Sequence, residues 1–320
     1  MHNHTAFLPD EHVFSTLARE LLLAPSPSTM VEKQRSALKS VFALSPFHIF
    51  DDNYVMAFNK LAGLQFSIVD IFRFSLLGFY EHFLGEEHRS SLLRDILARR
   101  SIKAKMPLLS KLKSMQQWRH CPLCVEDDEK QFGVAYWHVG HQLPTTNMCH
   151  KHSEQTLISG CYRCGWNNTD LRKHPLPSNT CSECEHELVA LDNQQTNAAN
   201  QSIQQLGLDL YYESPLPLRS KPRRQMLRSV EHAFGDTIRT RNQEYWKTKL
   251  QIENEFRLWT LENQIASYFD IKSEAELNTM LCLDSLIDSP SKVTPMAHII
   301  WLVFFNQIGQ PNHAGLPLVS

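Results

Sequence analysis

Cys121-Pro-Leu-Cys124, Cys149-His-Lys-His152, Cys161-Tyr-Arg-Cys164 and Cys181-Ser-Glu-Cys184 decide how this chain is read. Seven of its eight cysteines fall within these 64 residues, as consecutive pairs with a two-residue gap. That gap lets both donors of a tight turn face one ion, and two such pairs complete a tetrahedron. The order groups Cys121, Cys124, Cys149 and His152 into a first site, with twenty-four residues between its pairs. Cys161, Cys164, Cys181 and Cys184 form a second, with sixteen residues between its pairs. His150 competes with His152 as the fourth donor, and the CxxH spacing favours His152. Closed four-donor sites leave no position for water or substrate, so two structural Zn2+ ions are expected.

Clustered cysteines also suit a disulfide framework, but that pattern belongs to small secreted domains. This chain has 320 residues and opens MHNHTAFLPD, with no basic-then-apolar leader, so a reducing, cytoplasmic location is expected. Cys282 stands alone in a helical pattern and is expected to be a buried small hydrophobe. His152-Ser-Glu154 ahead of Cys161 echoes the HxE…PCxxC signature of zinc deaminases. The echo is poor: Gly160 stands where proline is required, and two further pairs would be unexplained.

Working outward, the composition is that of a globular protein, with 42% hydrophobic and 21% charged residues. The longest apolar run, Ile299 to Phe305, is too short to span a membrane. A net charge of −2 means that any nucleic-acid surface is local. Neither GxGxxG nor GxxxxGK[ST] occurs, and no carboxylate pair or Ser/His/Asp grouping stands out, so an enzyme is not expected.

The fold class expected is mainly α, in three parts: a helical domain over 1–118, a tandem zinc-finger module over 119–192 with short β pieces, and a helical domain over 193–320. Val13, Phe14, Leu17, Ala18, Leu21 and Leu22 make a helical stripe that Pro25 ends. Asp51-Asp52 caps a second helix, Gly63 breaks it, and Ser67 opens a third through Leu77. This pair resembles a helix-turn-helix, although any small bundle gives the same pattern. Val134 to Val139 alternates weakly, as a short strand does. Glu126-Asp-Asp-Glu129 reads as a solvated loop. Asn193 to Asn200 is a Gln/Asn-rich connector. Helices are then expected over 222–246, 247–269 and 273–288, with Pro295 opening a last one.

Two basic runs are candidate phosphate contacts. Arg99, Arg100, Lys103 and Lys105 lead the first, which continues through Lys111, Lys113 and Arg119. Arg219, Lys221, Arg223 and Arg224 lead the second. A solvated helix face accounts equally for such runs.

His120-Cys-Pro-Leu-Cys124, Tyr136-Trp137 and Cys149-His-Lys-His152 through Leu157 resemble the TniQ/TnsD family of transposon target-selection proteins. Pro9-Asp-Glu11 through Arg19 resembles that family's first helix, and Pro295-Met-Ala-His298 through Trp301 its late proline-to-histidine helix start. The likeness spans nearly the whole chain and is most specific over 120–164. It implies a non-catalytic adaptor that recruits the transposon's AAA+ ATPase (TnsC-like) to a target. Target recognition in such proteins runs through an RNA-guided Cascade complex, where some act as homodimers, or through target double-stranded DNA itself. Residues 65–90 look closer to the TnsD branch, whereas the length suits a short TniQ or a truncated TnsD. A zinc-containing transcription factor acting alone is the other reading of the same residues.

Overall fold

The computed structural model describes residues 7–23, 68–98, 111–169, 171, 174–190, 197–213, 221–289 and 292–308. Within them the chain is mainly helical. The N-terminal part holds α1 (Val13–Leu23), α2 (Ile68–Arg73), α3 (Leu77–Tyr80) and α4 (Glu86–Leu97). The cysteine-rich part holds α5 (Pro122–Phe132) and α6 (Val139–Gln142). The C-terminal part holds α7 (Ala198–Tyr212), α8 (Lys221–Phe234), α9 (Thr237–Thr240), α10 (Gln243–Glu262), α11 (Glu274–Met280), α12 (Leu283–Asp288) and α13 (Pro295–Ile308).

Side chains at the termini set most of these boundaries. Asn197, Asn242 and Ser273 each accept a hydrogen bond from the backbone N–H three residues on, at 2.8, 3.0 and 3.3 Å, starting α7, α10 and α11. Glu276 reaches back past the cap, accepting from Lys272 N at 3.0 Å. Pro295 sits at the start of α13, where its missing N–H costs nothing.

The long helices read from periodicity are cut by single residues. Gly235 and Arg241 take left-handed φ of 53° and 45°, dividing the 222–246 stretch, and Gln264 at 54° ends α10. Cys282 is extended and separates α11 from α12; it is half-buried rather than buried. The third N-terminal helix is also split, at Phe74-Ser75-Leu76, where Ser75 Oγ accepts from Leu77 N. The Asp51–Gly63 half of the helix-turn-helix reading lies outside the described residues.

One apolar cluster runs from Val13 and Phe14 through Leu76, Trp118 and Trp137 to the C-terminal helices. Its centre is α13, whose residues from Pro295 to Phe305 are all buried, as a helix apolar all round requires. Trp301 stacks on Phe256 with centroids 3.6 Å apart, and its indole N–H donates to Leu281 O at 2.8 Å. Among the described residues β structure is limited to isolated bridges. The 134–139 strand reduces to one, His138 against Glu11, because its partner among the described residues is the short segment before α1. There His12 N donates to Trp137 O at 2.7 Å and Val139 N to Asp10 O at 2.8 Å.

Helix α7 approaches the Thr145 turn so closely that a Cβ on Gly207 would overlap the Thr145 side chain. Thr145 is fully buried and has nowhere to move. Gly207→Ala is therefore expected to lower stability by about 1–3 kcal/mol despite alanine's better helix propensity. Urea unfolding checks this, and a stabilised variant would contradict the close approach.

Candidate metal centres

The first four donors come from two short arms. Cys121, in extended conformation, is the N-cap of α5, Pro122 follows it, and Cys124 sits in the first turn. This places both thiols at one helix end, whose free N–H groups favour thiolate. Cys149 and His152 come from a tight loop closed by Cys149 N donating to Gln155 O at 2.8 Å. The arms are held together by reciprocal hydrogen bonds between His120 and Ile158, at 3.0 and 2.8 Å.

Around a zinc ion, tetrahedral sulfur and nitrogen donors lie roughly 3.5–3.8 Å apart. Here Cys124 Sγ is 3.5 Å from Cys149 Sγ, and His152 Nδ1 is 3.4, 3.4 and 3.7 Å from Cys121, Cys124 and Cys149. A disulfide needs about 2.05 Å, and all eight cysteines are free thiols. The four donors share one locus and fit a closed tetrahedral ion. His150 does not join them: its Nε2 lies 3.2 Å from Tyr212 Oη on α7.

One carboxylate from the acidic run supports a donor of this site and a second is buried beside it, contrary to the solvated-loop reading. The run is helical, and Asp127 and Asp128 follow Cys124 by three and four residues, on one face of α5. Asp127 Oδ2 lies 3.1 Å from His152 Nε2, the outer nitrogen of the ligand imidazole, an arrangement that fixes ring orientation and tautomer. Asp128 is buried, 2.8 Å from His138 Nε2. Burial alone would lower the His138 pKa, but Asp10 and Asp128 on its two sides hold it raised. Burial in turn works to raise Asp10, and the hydrogen bond and charge of His138 outweigh it, leaving Asp10 lowered. His141 Nε2 lies 3.4 Å from Cys149 Sγ; desolvation lowers this ring to about 4, so it is neutral and touches the thiolate from outside the donor set.

The second site is built from two matching turns. Gly165 N donates to Cys161 O at 2.9 Å and Glu185 N to Cys181 O at 2.8 Å, with left-handed φ of 72° and 56° following each pair. Cys161 and Cys184 sulfurs are 3.7 Å apart, as are those of Cys164 and Cys181. Backbone N–H groups of Cys164 and Arg163 hold the Cys161 thiol below its usual range. This site is shallower, with Cys164 exposed and only Ile158, Leu188 and a few half-buried side chains packed around the sulfurs.

The basic candidates fare unevenly. Arg99, Arg100, Lys103, Lys105 and Arg219 lie outside the described residues. Lys221 and Arg223 fall in the first turn of α8, and Arg224 is exposed there. Arg119 is no surface cation: it is buried, donating to Leu143 O at 2.8 Å and to Thr146 O. Lys111 is paired with Glu276 at 2.7 Å. No helix among the described residues is long and apolar enough to cross a membrane.

The His120–Leu157 segment, with its arms, aromatic pair and carboxylate support, forms one continuous unit with α1. Residues 4–155 match the TniQ family, a span that contains the first donor set and stops short of the second. No curated protein matches the chain. This match, over just under half of the chain, supports membership of the TniQ family.

Proposed function

We propose that the chain is a non-catalytic targeting adaptor of DNA transposition, holding two structural zinc ions. Membership of the TniQ family supports a transposition-associated targeting role. The adaptor reading goes further: one surface meets a target-recognising assembly, Cascade or the target duplex, and another meets an AAA+ ATPase. The observation that carries it is the pairing of a TniQ segment with two complete four-donor sets. In each set every tetrahedral position has a protein donor, so the metal supplies rigidity to loops with little apolar core rather than Lewis acidity. Residues 10–80 are the face we assign to the ATPase or to Cascade.

Reconstituted insertion tests this. With transposase, ATPase and targeting complex present, insertion at the target is expected only when this chain is added. Crosslinking should then place the ATPase at the target only in its presence, and the chain alone should hydrolyse neither ATP nor DNA. Insertion at the same site without the chain overturns the adaptor reading. Sequence-specific duplex binding with no effect on ATPase recruitment would favour a transcription factor instead.

A further inference from the structure

Between the loop carrying Cys149 and helix α7 lies a cleft of about 520 Å³. One wall is Asn147, Met148, Cys149, His150 and Ser153; the other is the α7 face bearing Gln201, Gln204, Gln205 and Leu208. This face follows directly on Asn193 to Asn200, the Gln/Asn-rich stretch that reads as a connector in sequence. In the structure Asn197 caps it and Gln201, Gln204, Gln205 and Leu208 fall three and four residues apart, on one side of the helix.

Among the described residues the lining contains no Lys, Arg, Asp or Glu. Its one imidazole, His150, is engaged by Tyr212 Oη at 3.2 Å. The cleft is therefore polar and uncharged. Its amides carry paired donors and acceptors, the same pairing that each peptide unit presents. One of them already reads backbone: Gln204 Oε1 accepts from the N–H groups of Asn147 and Met148 at 3.3 and 3.2 Å. Gln201 and Gln205 stand exposed beside it, above a floor that includes Met148 and Leu208.

We infer that this cleft binds a short, extended, uncharged peptide segment of a partner protein through its main chain. From Ala198 to Leu208 the helix rises about 15 Å, the length of roughly four or five extended residues. A nucleic-acid strand is disfavoured because phosphate neutralisation supplies most of such affinity, and no cation lines the cleft. A charged peptide would lose hydration with no charged group in the lining to replace it, the neighbouring Asp209 carboxylate being held already by Gln205 Nε2 at 2.7 Å. This inference is independent of the transposition reading, since it rests on the cleft alone.

The test is a phage-displayed random dodecapeptide library selected on the full-length, zinc-loaded chain, followed by anisotropy titrations with the synthesised winners. Enriched sequences are expected to lack charged residues and to bind with little dependence on salt. Gln201→Ala combined with Gln205→Ala should weaken them about tenfold or more, the loss of roughly two hydrogen bonds. Both positions are exposed, so circular dichroism and zinc content should match the parent. Gln205→Ala alone gives a smaller loss and serves as the internal control. The inference is overturned by no enrichment, by enrichment of charged peptides, by winners indifferent to the double variant, or by oligothymidine displacing the peptides.

Discussion

Replacing Cys124 by serine is expected to reduce bound zinc from two ions to one per chain and to abolish cooperative folding. Replacing Cys164 is expected to remove one ion and leave the main melting transition nearly in place. The asymmetry follows from where the two donor sets sit. Cys121, Cys124 and Cys149 are buried, and the arms that carry them continue directly into Trp118, Trp137 and Val139 of the central core. Structural zinc contributes on the order of 10–16 kcal/mol in isolated fingers. That is comparable to the roughly 5–15 kcal/mol that holds a whole domain folded. Loss at the first site therefore spreads to the core, whereas Cys164 is exposed in a small satellite cluster. Elemental analysis with far-UV melting decides the matter. Equal, small changes in melting for the two variants would show that the first set does not anchor the core.

Glu11→Gln is expected to destabilise the chain by about 3–5 kcal/mol. The Glu11 carboxylate is fully buried and receives Arg19 in a fork, Nε to Oε1 at 3.1 Å and an Nη to Oε2 at 2.9 Å. It also accepts from Leu8 N at 2.9 Å. Removing the charge leaves a buried guanidinium beside a neutral amide, which is the costly way to break such a pair. Glu11→Gln with Arg19→Met should recover much of the loss, because the methionine fills similar space without a charge. Denaturant unfolding of the two single variants and the double gives the coupling. A Glu11→Gln loss below about 1 kcal/mol, the value of exposed pairs, would mean that solvent reaches the fork.

The donor sets were legible in sequence because a CxxC pair is a local geometric unit, and the eight residues named by spacing are those that converge. Helix α1 was legible from its stripe, and α13 from Pro295 and the apolar run behind it. What periodicity does not show is a stop made by one residue. Arg241 and Gln264 adopt left-handed φ without being glycine, so nothing in their types marks the helix ends. The roles of Asp127 and Asp128 were hidden for another reason. Four acidic residues in a row suggest a solvated loop, and only a helix starting at Pro122 puts two of them back beside the cysteines. Asp10, His138, His141 and His150 carry no spacing signature, because the close approach of Asp10 and His150 to Gly140, across 130 residues in the case of Asp10, brings them together. Arg119 shows the same limit: its partners are carbonyls on a turn that the local charge pattern cannot foresee.

The central core imposes an order of events during synthesis. Phe83 packs against His298, and the segment around it against α8, so these apolar surfaces wait for chain made much later. At about 5–20 residues per second the delay between residues 83 and 298 is roughly 10–40 s. The first donor set, by contrast, is complete once residue 152 has left the ribosome. Chelation can thus knot the middle of the nascent chain early, while final burial of the leading helices awaits α13. During that interval the half-made chain exposes Phe79 and Phe83, and a cell starved of zinc would lengthen its exposure to aggregation and to chaperone capture.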